Sequence, residues 1–536
     1  MDRRRAAVML AALGVIGVAA TVSAQGATPA ALPDVVRVQL STDPSVLAGE
    51  AWTLADPVHP GRLGVAWLAT GGSANLPPET GYCGFVHSSD GGHTWSKPAN
   101  LPFSADTAGV PDVVVNGSTT APICGDPVGG AGPDGTFYVG AAKTVSPQLM
   151  QGLVSKDDGA TWSKPSEIFG VDQLVAGTVA NFGSARTAPV GMGRAFMSVD
   201  PITGQVSVQS QEDGGVEGRW ITVSDDHGAT WSAPHPLDPD IQSKTAGPQS
   251  SAGGVIGVSY DVDPTSPFYV TDPSPAVVCP ALCTVFETSK DGGKTWTRHV
   301  TPITNTDSAT VGPGGLKIVA ADPADLGRFA LLTLAGSATK LVLWTTPDAG
   351  KTWALAHTFV APSGQTLAKP WVTYSRTGAL GVVWRDLHGD GKADVVATVS
   401  RDDGTSFGPV VPFTDPASPV PPDPGVGPGD DCACNLVLDA SNLYATWADS
   451  RTGQRQMYFG TFSYVAPAAT RPAAGSGRTT SAAPAKVPRR PLAPTGSLAA
   501  TGVPSTLALS ALALLTAGAL AARSRRRPAG DGYSRP

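Results

Sequence analysis

Charge, aromatic side chains and histidine are all scarce in this sequence. Charged residues make up 15% of its 536 positions, and the net charge is −7 with a pI near 5.6. A chain so weakly charged and slightly acidic offers no basic stripe to neutralise phosphates, which excludes nucleic acid as the expected partner. The eight histidines are scattered, and no pair has zinc-ligand spacing. There is also no Ser-His-Asp elbow and no glycine loop fit to cradle a phosphate. Cysteine is limited to six residues: Cys83, Cys124, Cys279, Cys283, Cys432 and Cys434.

What is present begins at the two ends. Arg3, Arg4 and Arg5 precede an apolar run from Ala6 to Ala20, and Val22-Ser23-Ala24 supplies small residues for cleavage. Residues 1–24 therefore read as a secretory signal, with the general export route favoured over the twin-arginine one. At the other end, residues 503–522 form a second apolar run closed by Arg523, Arg525, Arg526 and Arg527. At about 1.5 Å per residue such a run spans roughly 30 Å, one bilayer crossing. The basic cluster should stay cytoplasmic and leave the bulk of the chain outside.

Just before that run stand Leu492-Ala493-Pro494-Thr495-Gly496 and Leu498-Ala499-Ala500-Thr501-Gly502. Both resemble the L-A-x-T-G sorting signal of class E sortases of actinobacteria. The resemblance implies cleavage between threonine and glycine, with Thr501 and Gly502 the better placed bond, and transfer to the cell wall. An uncleaved tail anchor is the alternative. Residues 466–497 are rich in Ala, Pro, Thr and Arg, cannot bury enough surface to fold, and read as a stalk. In an exported chain the six cysteines are expected to form disulfides. Local Cys279/Cys283 and Cys432/Cys434 bridges would leave Cys83 with Cys124.

Between the ends, residues 34–465 carry a repeat. Ser88-Ser89-Asp90-Gly91-Gly92-His93-Thr94-Trp95 returns at Ser155 to Trp162, Ser224 to Trp231 and Ser289 to Trp296. Variants run from Thr346 to Trp353 and from Ser400 to Phe407. The pattern S-x-D-x-G-x-T-W is the Asp box, and its spacing matches one four-stranded propeller blade. Its Asp can accept backbone N–H bonds in a tight turn, and its Gly can supply positive φ. Asp90, Asp157, Asp226, Asp291, Asp348 and Asp402 are accordingly assigned to structure rather than catalysis. His93 and His227 fall inside these turns, where exposure is expected.

An inner hairpin precedes each box, and a seventh follows the last one, from Leu436 to Phe462. That final unit lacks an outer strand, which Val35 to Leu40 could supply by closing the ring. The expected fold is an all-β, seven-bladed propeller, with six blades as the alternative. In this topology the starts of inner strands and the ends of second strands share the face opposite the Asp boxes. Reading off those positions gives Asp126, Arg194, Gln209, Gln211, Glu212, Tyr260, Asp261, Lys369, Arg385, Asp386, Asp449 and Arg451. Arginines can bind a carboxylate in paired bonds, a carboxylic acid can protonate a leaving group, and a tyrosine backed by a carboxylate can attack an anomeric carbon. Arg194, Tyr260, Asp261, Arg385, Asp386, Asp449 and Arg451 are the candidate catalytic set. The competing reading makes Trp384-Arg385-Asp386 and Trp447-Ala448-Asp449-Ser450-Arg451 turn-forming elements repeated from blade to blade.

The Asp boxes and W-x-D-like strand ends resemble bacterial sialidases and sialidase-like propellers over nearly the whole exported domain. The resemblance implies a glycoside hydrolase acting on extracellular glycans, and the chain is expected to be a monomer. The alternative is a non-catalytic displayed propeller that binds a glycan or protein. The family pattern also carries an arginine in F/Y-R-I-P on the first blade. Residues 46–57 contain none, leaving Arg37 or Arg62 as displaced counterparts. Finally, Asp386-Leu387-His388-Gly389-Asp390-Gly391-Lys392-Ala393-Asp394 resembles the calcium loop of integrin-like repeats, making Asp386, Asp390 and Asp394 candidate Ca²⁺ ligands. A simple Asp/Gly hairpin turn is the alternative there.

Overall fold

A computed structural model describes residues 32–465 apart from 44–45, 72–80, 104–112, 116–117, 121–123, 143–149, 171, 177–191, 213–218, 238–246, 263–282, 304–316 and 421–433. The signal, the stalk, both L-A-x-T-G segments, the 503–522 run, Cys279 and Cys432 lie outside the described residues. Among the described residues no helix is long and apolar enough to cross a membrane.

Seven antiparallel sheets follow one another, each with a four-strand path from inner to outer strand. Their inner strands are Val46–Ala55, Gly125–Ala131, Met192–Val199, Ser250–Ala252, Ile318–Ala321, Thr366–Tyr374 and Cys434–Leu438. The fold is therefore a seven-bladed propeller, not a six-bladed one. Closure is made by the first strand: Val36–Gln39 pairs antiparallel with Gln456–Ser463, in register from Val36↔Thr461 to Gln39↔Tyr458. It thus supplies the missing fourth strand of the last blade. Arg37 fastens it to the sixth blade by donating Nε to Phe413 O at 2.6 Å and Nη2 to Pro412 O at 3.0 Å.

The Asp-box turns share one hydrogen-bond scheme. In the first, Ser88 Oγ donates to Asp90 Oδ1 at 2.8 Å. The N–H of Thr94 donates to the same oxygen at 2.9 Å, and the Thr94 hydroxyl donates to Oδ2 at 2.6 Å. Asp157, Asp226, Asp291, Asp348 and Asp402 accept from Thr161, Thr230, Thr295, Thr352 and Ser406 in the same way. Because these bonds need the ionised carboxylate, the threonine hydroxyl and N–H pull Asp90, Asp226 and Asp291 down to about 2. A depressed folded pKa stabilises the turns above the ordinary carboxylate range, and that contribution is lost only as pH falls through about 2.

The tryptophan closing each box joins blades. Trp162 meets Phe85 of the preceding blade at 5.0 Å, and Trp353 meets Phe286 at 5.0 Å. Trp95 meets Phe459 of the seventh blade at 4.9 Å, so the same contact closes the ring. Box glycines permit this approach. A Cβ at Gly159, whose φ is +86°, would overlap the Phe85 ring. Gly159→Ala should therefore cost about 1–3 kcal/mol, read as a lowered denaturation midpoint with an unchanged slope.

A second repeat lies on the same face, in the turns between inner and second strands. Asp56, Asp200 and Asp322 accept N–H groups two residues on, from Val58, Ile202 and Ala324. Asp200 also reaches into the fourth blade, accepting the Gly254 N–H at 2.7 Å. These Asx turns, like the Asp boxes, are local solutions to satisfying a tight turn.

One disulfide, Cys83–Cys124, ties the third strand of the first blade to the start of the second blade, with 5.5 Å between Cα atoms. Cys283 is also disulfide-bonded, and Cys434 begins the inner strand of the seventh blade.

Candidate functional site

The two ends of the propeller axis differ. On the Asp-box end, inner-strand residues of all seven blades, among them Trp52, Ser198, Ser251 and Trp371, surround a cavity of about 200 Å³. Trp52 and Trp371 meet edge to face at 5.4 Å within it.

On the opposite end, four inner strands are interrupted at equivalent places. The register shifts between Gly49 and Trp52, Gly125 and Val128, Gly193 and Phe196, and Ala368 and Trp371. Each interruption opens on a charged residue: Glu50, Asp126, Arg194 and Lys369. Glu50, Asp126 and Lys369 adopt φ of 54°, 46° and 49°. A bulge re-aims a side chain and ends regular pairing, and positive φ in a non-glycine residue marks backbone held against its preference. Asp126, Arg194 and Lys369 were readable as strand starts, but Glu50 was not among the expected residues. The signal that would have found it is a charged residue, then Ala or Pro, then a large apolar one: Glu50-Ala51-Trp52, Asp126-Pro127-Val128, Arg194-Ala195-Phe196 and Lys369-Pro370-Trp371. The side chains of Arg194, Gln211 and Glu212 lie outside the described part of the structure.

The remaining candidates sit on second strands and turn into the seams between blades. Tyr260 is 2% exposed. Its hydroxyl lies 2.8 Å from Glu287 Oε2 and 3.1 Å from Leu237 O of the third blade. Arg298 completes that cluster, with Nε 3.2 Å from Glu287 Oε2. Burial pushes the Glu287 carboxyl up to about 7 despite Arg298 and Tyr260. Asp261 lies in the next seam, 3.0 Å from Lys317 Nζ, and accepts the Thr284 hydroxyl at 2.8 Å. Gln209 donates Nε2 to Gly247 O at 3.2 Å. Arg385 is buried and donates Nη2 to Ala448 O of the seventh blade at 2.8 Å.

Asp386 and Asp449 are matched in a different way. Each accepts the indole N–H of the tryptophan two residues earlier, from Trp384 at 2.9 Å and Trp447 at 3.1 Å. Asp449 is fully buried and takes Nε and Nη2 of Arg451 at 3.0 and 2.7 Å. Burial raises its carboxyl, but the Arg451 bonds outweigh that and leave it below the usual range. Asp386 is only half-buried and has no such cation, so burial leaves it above the usual range.

Asp386, Asp390 and Asp394 are not gathered into a calcium cage. Asp394 accepts the Thr414 hydroxyl at 2.9 Å and lies 3.1 Å from His388 Nε2, and Asp390 lies 3.7 Å from Lys392 Nζ. No group of three His, Cys, Asp or Glu suited to a metal occurs among the described residues. Asp386 and Asp394 are cross-strand partners at the base of the hairpin. The two arginines considered for the first blade are also elsewhere. Arg37 is on the outermost strand of the ring, and Arg62 pairs with Asp158 at 2.7 Å beside the second Asp box. At the equivalent bulge the first blade carries Glu50, which is buried.

No known sequence family matches the chain, and no curated protein does. Among solved structures, it resembles a Hadza microbial sialidase at 14% identity, covering 80% of this chain and 95% of that one, with a TM-score of 0.40. It resembles the NanB sialidase of Streptococcus pneumoniae at 9% identity, covering 81% and 99%, with a TM-score of 0.37. A polysaccharide lyase acting on ulvan stands at 13% identity, 79% and 95% coverage, and a TM-score of 0.40.

Proposed function

We propose that this chain is a glycan-active propeller displayed outside the cell, with its ligand seated over the channel end opposite the Asp boxes. The observation that carries the reading is the set of charged bulge residues, Glu50, Asp126, Arg194 and Lys369, brought by four blades to that end. Cations and carboxylates around one mouth can hold a polyhydroxylated, charge-bearing ligand by directed hydrogen bonds. In the finer reading the chain is an exo-glycosidase. Asp386, half-buried and held above the usual carboxylate range by burial, supplies the proton to the leaving group, and a bulge carboxylate serves as the second group. Display would follow from export, sorting at Thr501–Gly502 and transfer to the wall.

A second reading, a non-catalytic glycan- or protein-binding propeller, is favoured by the placement of Tyr260. Its hydroxyl is committed to a buried seam rather than to the channel end.

Turnover of a panel of fluorogenic glycosides, run beside a glycan array, separates the two readings. In the enzyme reading, Asp386→Asn lowers kcat by about 10²–10⁴-fold while array binding persists. Array binding without turnover by the parent chain leaves the binding propeller. Neither binding nor turnover overturns both.

A further inference from the structure

The four bulges at the channel end are not equally well supported. In the first blade four ladder pairs, Val46↔Gly71 to Gly49↔Leu68, precede the break, and in the sixth there are three, Thr366↔Leu387 to Ala368↔Arg385. The third blade has two, Met192↔Glu212 and Gly193↔Gln211. Among the described residues the second blade has only Gly125↔Ala142. Yet its bulge is a demanding one. Asp126 precedes Pro127, whose ring favours extended backbone in the residue before it, and its φ is +46°. Lys369 before Pro370 makes the same demand, with three pairs to hold it. Such a conformation persists only where its surroundings over-determine it.

The anchor beside Asp126 is covalent. Cys124, two residues before it, is bonded to Cys83 on the third strand of the first blade. Both cysteines are buried, in one apolar cluster with Leu54, Leu68 and Phe85 of the first blade and Phe137 of the second. Leu101 also donates its N–H to Cys83 O at 2.9 Å. Cys83 therefore holds both ends of the 101–124 link, and the bulge follows that clamp after a single residue. With about 3.8 Å between successive Cα atoms, Asp126 lies within about 8 Å of Cys124.

We propose that the Cys83–Cys124 bridge is a positioning element of the candidate site, fixing the bulge that carries Asp126 against the first blade. The inference rests on the glycan reading above for what the site binds, and on the bulge geometry alone for what the bridge does. A bridge acting only through the entropy of the unfolded chain could lie anywhere on the ring. This one lies beside the bulge with the shortest ladder, where a fixed point is needed to hold a carboxylate at one end of the axis.

The test compares four versions of the full chain: the parent, Cys83→Ala/Cys124→Ala, Asp126→Gly, and all three substitutions together. Amide exchange read by mass spectrometry should be at least about tenfold faster over residues 124–131 once the bridge is removed, and unchanged over the sixth-blade bulge at 366–374. Glycine adopts positive φ freely, so removing the bridge should lower the melting temperature less in the Asp126→Gly background than in the parent. On a glycan array the chain without the bridge should bind at least about tenfold more weakly, as misplacing one hydrogen-bonding carboxylate implies, and Asp126→Gly should then add no further loss. Free thiols at both positions in the parent, an exchange rise shared equally by the sixth blade, equal melting losses in the two backgrounds, or undiminished array binding overturns the positioning role. A chain without the bridge that fails to fold and is not restored by Asp126→Gly overturns it as well. If no glycan binds the parent, the glycan reading falls, while exchange and melting still decide the bridge.

Discussion

Above pH 7, where its carboxyl is ionised, replacing Glu287 by alanine is expected to lower the stability of the propeller by about 3–5 kcal/mol, the range found when one member of a buried ion pair is removed. Glu287 is 1% exposed and is the shared acceptor of the Tyr260 hydroxyl and Arg298 Nε. Its loss removes the acceptor that joins the Tyr260 phenol to the Arg298 guanidinium in the seam between the third and fourth blades, leaving Leu237 O as a shared acceptor. Since a typical domain is stable by only 5–15 kcal/mol, the variant should show a markedly lower denaturation midpoint. A midpoint within experimental scatter of the parent would show that water reaches the seam.

The same carboxyl gives a pH signature with a definite sign. Its folded pKa, near 7, is raised above the ordinary 4.5, so the folded state holds a proton that the unfolded state has lost. Its contribution to stability is complete at low pH and is lost as pH rises through the window from about 4.5 to 7. His235 stacks on Trp296 at 5.6 Å in the same seam and is driven down to about 4 by burial and by Arg298. Neutral when folded, it adds stability as pH rises from about 4 to its ordinary 6.5. The two groups therefore oppose each other over one range. Glu287→Gln removes the falling contribution only, so denaturation midpoints from pH 4.5 to 7 should climb more steeply than in the parent. An unchanged profile would refute the raised carboxyl.

Deleting residues 32–40 should be of comparable severity, for a different reason. Four residue pairs join Val36–Gln39 to the last blade, Leu40 donates its N–H to Met457 O at 2.8 Å, and Arg37 adds two bonds to the sixth blade. At about 1 kcal/mol net per hydrogen bond, these contacts together amount to roughly 5–7 kcal/mol. It also bares the 456–463 strand as an edge, and an unpaired edge recruits other chains. The expected result is a lower melting temperature together with concentration-dependent association in sedimentation. A monomer that melts like the parent would mean that the ring holds without its closing strand.

How far the site was legible follows from where each residue's surroundings come from. Asp126 and Lys369 could be placed at strand starts, because blade topology alone puts those positions at one end of the axis. Glu50 stands at the equivalent bulge yet escaped notice, since no periodicity marks a two-residue interruption. Tyr260 was placed at the right strand end, but which seam its hydroxyl enters depends on the twist of the blade and on Leu237 of its neighbour. Asp386 and Asp449 look alike in sequence. Burial, with Asp394 nearby, holds the carboxyl of Asp386 up, while the Arg451 bonds outweigh burial at Asp449.

The sequence by itself determined the blade repeat and pointed to seven blades with a closing strand over a six-bladed alternative, because turn chemistry, strand alternation and repeat spacing are local. The seven sheets and the pairing of Val36–Gln39 decided the count. Tertiary structure alone decided which carboxylates are buried in seams between blades and what each of them bonds to. Those properties belong to pairs of blades, and a pair of blades exists only once the ring has closed.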